Sequence, residues 1–473
     1  MVNGIYKKLC SDTFILALGT FGSKLLVFLL MPLYTAWLSP TEYSAAELIT
    51  GTANLIMPFV CMGLTTGIFR FAAERGSDQR EVFSSGLTLL GGGLGALLLI
   101  GLPFCFFGSL RMETALILAY VLFADVQAVC AQYVRAIDRT RLFAVQGILN
   151  TVLTVLFNVI FLVVFDMGVT GYVLSVVVGN LLTTVFLICT AKLWQVYRFS
   201  AVRRETVSEL IRFSLPMVPA TVCWLITDLS DRYFVSAICG AELNGLYSAA
   251  YKIPTVVNLI SSIFMQAWQF SAVAQSVNRE ECSRFYSTVF RGFLSLIFIG
   301  TAGLILCASF LSSLLLDDAY FEAWRYMPTL LCAAAVESVV AFLATVYLVR
   351  KKSSHSFLTA IVGTLVNLLM NAILIPRSGW CGGPYGAALA TLMGYCAVYV
   401  LRTLDAPKLL KFRLYLPRQM VSFSLLFAMA AVMTFAGQGK FTVVFLIGAV
   451  VAAINFPELL RGFREMIVGR MKK

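Results

Sequence analysis

Three basic residues lie within apolar stretches of the chain and not between them: Lys24, Arg232 and Lys252. A cation at the centre of a membrane-spanning helix costs roughly 2.5–3.5 kcal/mol. Each is therefore predicted to face a hydrated cavity or a partner. A guanidinium offers a planar fork of donors and an ammonium a compact charge, and both suit phosphate oxygens. The chemistry expected of the three is capture of an anionic, phosphate- or diphosphate-bearing substrate. A competing expectation attaches to Arg232: Asp228 precedes it by four positions and shares its helix face, so the pair can neutralise one another. Lys24 has no acid within four residues on its own helix. Arg70, at the end of the second apolar stretch, is expected either to form the cytoplasmic rim of the same surface or to act as a topological anchor.

Five acids also fall within apolar stretches: Glu47, Asp125, Asp228, Asp231 and Glu337. They are candidates to bind a coupling proton or cation, or to balance the basic residues when no substrate is bound. Asp231 has the alternative of a headgroup-level anchor, and Asp125 and Glu337 that of fixing helix contacts. Polar residues share helix faces. Glu47, Gly51 and Asn54 do so on one stretch, and Tyr251, Thr255, Asn258 and Ser262 on another. Asn54 and Asn258 are candidates to hydrogen-bond sugar hydroxyls, against the alternative of bonds between helices.

The elements that must position these residues are membrane helices. Of 473 residues, 59% are hydrophobic and 13% charged, and mean hydropathy is +0.86. A soluble domain carries about 25% charged residues. The expected fold class is all-α and polytopic, with about fourteen spans of roughly 20 residues. The first is placed near 13–37, the second 45–69, the seventh 213–238 and the eighth 246–270. About 29 of the 36 basic residues fall in even-numbered connections or at the termini. The odd-numbered connections carry acids such as Glu42, Asp166 and Asp317. Lys and Arg favour the cytoplasmic side, so both ends are expected in the cytoplasm.

A repeat organises the spans. Tyr43-Ser44-Ala45-Ala46 with Asn54-Leu55-Ile56 recurs as Tyr247-Ser248-Ala249-Ala250 with Asn258-Leu259-Ile260. Asn158 and Tyr172 match Asn371 and Tyr385, and Asp125 pairs with Glu337 within a residue of the same offset. Two six-helix lobes are expected, 1–193 and 213–404, related by an axis along the membrane normal. They are joined by a cytoplasmic linker at 194–212 and followed by two extra helices and a basic tail at 405–473. Lys24 and Arg232 would then come from equivalent helices at the lobe interface. Pro32, Pro58, Pro216, Pro219 and Pro254 interrupt helices there and permit bending.

Several classes are set aside. The 12 cysteines are scattered, with no Cys-x-x-Cys pair, so neither a disulfide framework nor a zinc site is indicated. The single histidine, His355, follows Arg350-Lys351-Lys352 and is expected to be solvated. Gly91-Gly92-Gly93-Leu94-Gly95 lacks the Lys-Ser or Lys-Thr of a phosphate loop and is expected to permit close helix packing. No connection exceeds about 20 residues, which leaves no room for an extramembrane enzymatic or nucleotide-binding domain. No cofactor is expected. The net charge of +12 is accounted for by basic cytoplasmic loops meeting anionic membrane lipids, without nucleic acid. Lys7 and Lys8 precede an apolar run too long for a signal-peptide core, expected to be an uncleaved first helix.

Local motifs add a resemblance. Ser11-Asp12-Thr13, Gly19-Thr20-Phe21-Gly22-Ser23-Lys24, Met31-Pro32-Leu33-Tyr34-Thr35 and Leu38-Ser39-Pro40-Thr41-Glu42-Tyr43 resemble the start of polysaccharide-biosynthesis flippases. Ile68-Phe69-Arg70-Phe71, Asp231-Arg232-Tyr233-Phe234 and Gly245-Leu246-Tyr247 through Lys252 extend it. Where the family usually has Tyr-Gly, this chain has Tyr43-Ser44. The resemblance implies membership of the multidrug/oligosaccharidyl-lipid/polysaccharide exporter superfamily, with a fold like that of its multidrug transporters and of lipid II flippases. It implies translocation of polyprenyl-diphosphate-linked oligosaccharide across a bacterial cytoplasmic membrane by alternating access, with polymerase and synthesis proteins as candidate partners. By the same likeness, the two C-terminal helices would form a groove for the prenyl tail. The rival functions are a cation-coupled drug exporter, which should favour acids and aromatics over a basic cavity, and a lipid II flippase. A membrane glycosyltransferase or polymerase is disfavoured by the lack of a large outer loop or a clustered carboxylate motif.

Overall fold

The computed structural model describes residues 30–74, 78–107, 111–274, 279–350, 352–377, 379, 382–437 and 439–471. It is 89% helical, with no strand among the described residues. A helix satisfies every backbone polar group within its own segment, which is what a bilayer demands of a chain that does not close a barrel. Contacts divide the chain into two compact units, Met1–Leu229 and Ser230–Lys473.

The N-terminal unit begins with α1 (Met31–Trp37) and α2 (Pro40–Val60). Ser39 caps α2 in a full capping box with Glu42, and Pro40 sits at the first helical position, where its missing N–H is harmless. α3 (Leu64–Ala72) follows after a bend of 48°. Met62 and Gly63 make that bend at φ of 47° and 69°. The expected second span is thus two helices, because Pro58 weakens the ladder one turn before two left-handed residues break it. α4 (Gln79–Phe107), α5 (Arg111–Ala136), α6 (Thr140–Asn158) and α7 (Gly168–Ala191) complete the apolar set. α6 runs on into a π-helical turn, Val159–Val164. Of the glycine cluster only Gly93 meets a neighbour closely. A Cβ added there would lie 2.1 Å from the Val60 carbonyl oxygen, whereas Gly91, Gly92 and Gly95 have open space.

The segment expected as a linker is largely helical: α8 spans Arg204–Ser214. Arg203 pairs with Glu81 of α4 at 3.3 Å, and the Thr206 hydroxyl donates to the same carboxylate. α9 (Val218–Cys239) then carries the chain across the division between the units.

The C-terminal unit contains α10 (Ala241–Lys252), α11 (Thr255–Ala274), α12 (Arg279–Leu306) and α13 (Met327–Val349). It continues with α14 (Ser353–Leu374), α15 (Gly383–Leu409), α16 (Leu416–Phe435) and α17 (Lys440–Met471). The eighth expected span is broken into α10 and α11, because Pro254 has no N–H to return to the preceding turn. Phe342 of α13 anchors the core, stacked on Trp268 at 5.2 Å with Phe290 at 4.8 Å and Phe293 at 5.4 Å.

Among the described residues, eleven helices are long and apolar enough to cross a membrane, or twelve if α2 and α3 count as one bent span. The count of fourteen is not reached. Most of the first expected span lies outside the described residues, and the α10–α11 pair is not among the candidates.

Two side chains differ from expectation. Arg402, grouped with the basic connections, is 2% exposed inside α15. Its Nε donates to Thr359 Oγ1 (3.0 Å), its Nη1 to the Val340 carbonyl (2.9 Å) and its Nη2 to the Ser356 carbonyl (3.3 Å). His355 is not simply solvated, since its Nδ1 lies 2.8 Å from Asp405 Oδ2.

Candidate functional site

Asp231 of α9 is fully buried. Asn367 and Asn371, one turn apart on α14, donate their side-chain amides to Asp231 Oδ1 at 3.0 and 2.6 Å. Tyr247 of α10 donates its hydroxyl to Oδ2 at 2.8 Å, and Thr391 of α15 donates to the same oxygen. One carboxylate thus ties together four helices. Ser230 joins the set by donating to Asn367 Oδ1 at 2.9 Å. Full burial keeps the Asp231 carboxylate off the protein surface. A charge so buried is tolerable only when its lone pairs are occupied. Beside it, Asn371 Oδ1 is a buried acceptor with no hydrogen-bond partner.

Arg232 follows directly. Its side chain turns to a different face of α9, and its guanidinium lies 5.5 Å from the Tyr251 ring. Tyr251 adjoins Lys252, the last residue of α10, where Pro254 interrupts the span. Both Arg232 and Lys252 are half-buried. The C-terminal end of a helix favours a cation, which suits Lys252. Two of the three expected cations therefore belong to one unit, Arg232 against the Tyr251 ring and Lys252 next to that tyrosine in sequence. Lys24, the third, lies outside the described residues.

In the N-terminal unit one buried carboxylate is Glu47 of α2, 3% exposed. Tyr172 of α7 donates its hydroxyl to Glu47 Oε1 at 3.1 Å. The Tyr172 ring packs edge-on against Tyr34 at 4.7 Å and Tyr43 at 6.3 Å. Asn158, which the repeat matches to Asn371, donates to the Thr154 carbonyl at 2.8 Å and keeps a buried Oδ1 without a partner.

The remaining candidates distribute as follows. Asn258 of α11 donates to Glu337 Oε2 of α13 at 2.9 Å. Their repeat equivalents do not reproduce that bond. Asn54 is exposed and accepts from Tyr120 at 3.5 Å, while Asp125, on the same α5 helix as Tyr120, is buried with Oδ2 unpartnered. Asp228 is exposed. Arg70 is exposed at the end of α3, its guanidinium 5.3 Å from the Phe213 ring.

Sequence reasoning missed Asn367, Thr391 and the tyrosines that hold the two carboxylates. A signal existed for one pair: Asn367 and Asn371 stand four apart in an apolar span, on one helix face. Chemically, the Asp231 set is a cluster of carboxylate, amide and hydroxyl oxygens of the kind that suits a hard cation or a proton. The Arg232 and Lys252 region suits an anion.

Comparison with known proteins agrees with this architecture. The structure is similar to that of the lipid II flippase MurJ in an inward closed conformation, with a TM-score of 0.69 at 14% identity, covering 97% of this chain and 100% of that one. It is similar to an inward-facing multidrug resistance MATE family transporter of the MOP superfamily, with a TM-score of 0.64 at 14% identity over 82% and 95% of the two chains. An outward-facing MATE structure gives 0.59 at 13% identity over 84% and 96%. At these identities the likeness is one of fold. No curated protein matches the chain by sequence. The fold is thus that of a multi-pass membrane protein of the MurJ and MATE type. Residues 9–269 match the polysaccharide biosynthesis protein family, and the chain belongs to that family.

Proposed function

We propose that the protein is a flippase that moves a polyprenyl-diphosphate-linked oligosaccharide from the cytoplasmic to the outer leaflet of a bacterial cytoplasmic membrane by alternating access. The observation that carries this is the Arg232 guanidinium 5.5 Å from the Tyr251 ring, with Lys252 next to that tyrosine in sequence, in a polysaccharide biosynthesis protein. A guanidinium beside an aromatic face, with a second cation one residue along the chain from that ring, supplies charge-assisted donors to a diphosphate and a surface for a sugar ring. Lys24 and Arg70 are further candidates for the same headgroup, with Asn54 and Asn258 for its sugars. No ATP site is invoked, so net work draws on membrane potential or an ion gradient. One elementary charge moved through 100 mV supplies about 2.3 kcal/mol.

Asp231 is the proposed coupling residue. Its oxygens, with the unpartnered Asn371 Oδ1 and the Thr391 hydroxyl, support a site for a small monovalent cation or a proton. Glu47, which accepts from Tyr172, is the candidate in the other unit. Asp125, Asp228 and Glu337 are the remaining charge-balancing candidates.

A second reading, a cation-coupled drug exporter, is favoured by the same buried carboxylates and by the likeness to MATE transporters. A lipid II flippase is favoured by the likeness to MurJ.

The experiment is leaflet-resolved translocation of labelled polyprenyl-diphosphate sugars in proteoliposomes, with a lipid II arm and a cationic dye arm. Lys24→Ala and Arg232→Ala are expected to insert normally and lose most translocation. Full activity in both removes the site assignment. Dye export without sugar translocation removes the flippase.

A further inference from the structure

Where the chain passes from α15 to α16 it lies against the first turns of α12, and a cavity of about 620 Å³ opens there. The connection is fixed at several points. Ser283 donates to the Lys411 carbonyl, and the Arg413 backbone N–H donates to Ser287 Oγ at 2.9 Å. The Phe412 ring is inserted 5.6 Å from Tyr286 and 5.7 Å from Phe290. Tyr415 closes the connection at φ 53°, a left-handed conformation that non-glycine residues rarely adopt.

With Phe412 turned inward, its neighbours Lys411 and Arg413 are exposed. Arg284 and Arg291, seven residues apart on one face of α12, line the same cavity. Four cations and several hydroxyls meet there, and no carboxylate is among the described lining residues. Glu458 lies 3.7 Å from Arg291 Nε and is shared with Arg461 at 2.8 Å. Like charges held together by an anchored backbone repel one another unless an anion lies among them.

The place in the fold narrows the anion. α12 and α16 begin here and α15 ends here, so the cavity stands where three apolar helices leave the hydrocarbon layer. Leu416 and Met420, four apart on α16, continue from Tyr415 as an exposed apolar strip. We propose that this pocket binds the phosphate of an anionic phospholipid headgroup, with an acyl chain lying along Leu416 and Met420. The arginines fork onto the phosphodiester oxygens and Lys411 adds a point charge. The site shares no residue with the proposed substrate and coupling sites.

The test is native mass spectrometry of the full-length protein with phosphatidylglycerol or phosphatidylcholine. It compares wild type with Lys411→Gln/Arg413→Gln and with Arg284→Gln. Wild type is expected to retain phosphatidylglycerol in preference to phosphatidylcholine. The double variant should bind it roughly thirtyfold more weakly, from about fivefold per basic residue removed, and Arg284→Gln about fivefold more weakly. Lys411 and Arg413 are exposed and the Arg413 N–H is retained, and an unchanged melting temperature shows that the variants fold. Equal retention by all three proteins overturns the proposal, as does equal retention of the zwitterionic lipid. A further arm titrates free pyrophosphate. Displacement of phosphatidylglycerol at comparable concentration assigns the pocket to a soluble anion and also overturns it. Retention is read without translocation, so this result is separate from that of the flippase assay.

Discussion

Replacing Asp231 separates its structural from its ionic role. Asp231→Asn keeps the shape. Oδ1 still accepts from Asn367 and Asn371, and the new amide nitrogen faces the Tyr247 and Thr391 hydroxyls, which can rotate to accept. Asp231→Leu removes every acceptor. Thr391 then keeps a bond to the Ala387 carbonyl at 3.1 Å, and Asn371 keeps Ser230 Oγ at 3.4 Å and Asn367 Oδ1 at 3.3 Å. Tyr247 and the Asn367 amide lose the bond that Asp231 provided. Two orphaned donors in a soluble core would cost about 1–3 kcal/mol each. Inside a bilayer the unfolded reference also finds partners, and single bonds average about 0.6 kcal/mol with a maximum near 1.7. The membrane figure governs here, giving about 1–3 kcal/mol for Asp231→Leu. Asp231→Asn exchanges charge-assisted bonds for neutral ones but no longer buries a charge, so its net change is smaller. Thermal unfolding in detergent should therefore rank wild type and Asn close together and Leu clearly lower, while both variants lose ion-dependent translocation. A Leu variant that melts with wild type would refute the role of the carboxylate as the hub of four helices. An Asn variant with intact ion dependence would refute the coupling role.

Lys252→Gln should raise the substrate concentration needed for half-maximal translocation, and Lys252→Arg should restore much of it, as read in proteoliposomes. At the glycine cluster, Gly93→Ala should destabilise by about 1–3 kcal/mol, because its Cβ would fall 2.1 Å from the Val60 carbonyl oxygen. Gly92→Ala, in open space, should leave the melting temperature unchanged or raise it. A double-mutant cycle on Asn258→Leu and Glu337→Leu should return a coupling of about 0.6–1.7 kcal/mol, and additive effects would show that their 2.9 Å bond contributes nothing.

What the sequence made legible follows from which physics is local. Hydropathy is local, so the apolar helices, the all-α class and the bends at Pro58 and Pro254 could be read directly. The charge of Arg232 and Lys252 was equally plain, since a cation in an apolar run is conspicuous wherever the helix packs. Partnership is not local. Asp231 draws its donors from residues 16, 136, 140 and 160 positions away, and nothing near Asp231 announces Asn367 or Thr391. The repeat could indicate which positions are equivalent, but not that Asn258 would find Glu337 while Asn54 meets Tyr120. Arg402 shows the same limit from the other side. Two residues from the expected end of its helix, it reads as a connection anchor. In the fold α15 runs on to Leu409, and two neighbouring helices supply the carbonyls and hydroxyl that let the guanidinium be buried. A charged side chain near a predicted helix end is therefore decided by what packs against it. That is why the basic pocket at Arg284, Arg291, Lys411 and Arg413, assembled from segments more than a hundred residues apart, could be counted in advance only as loop charge.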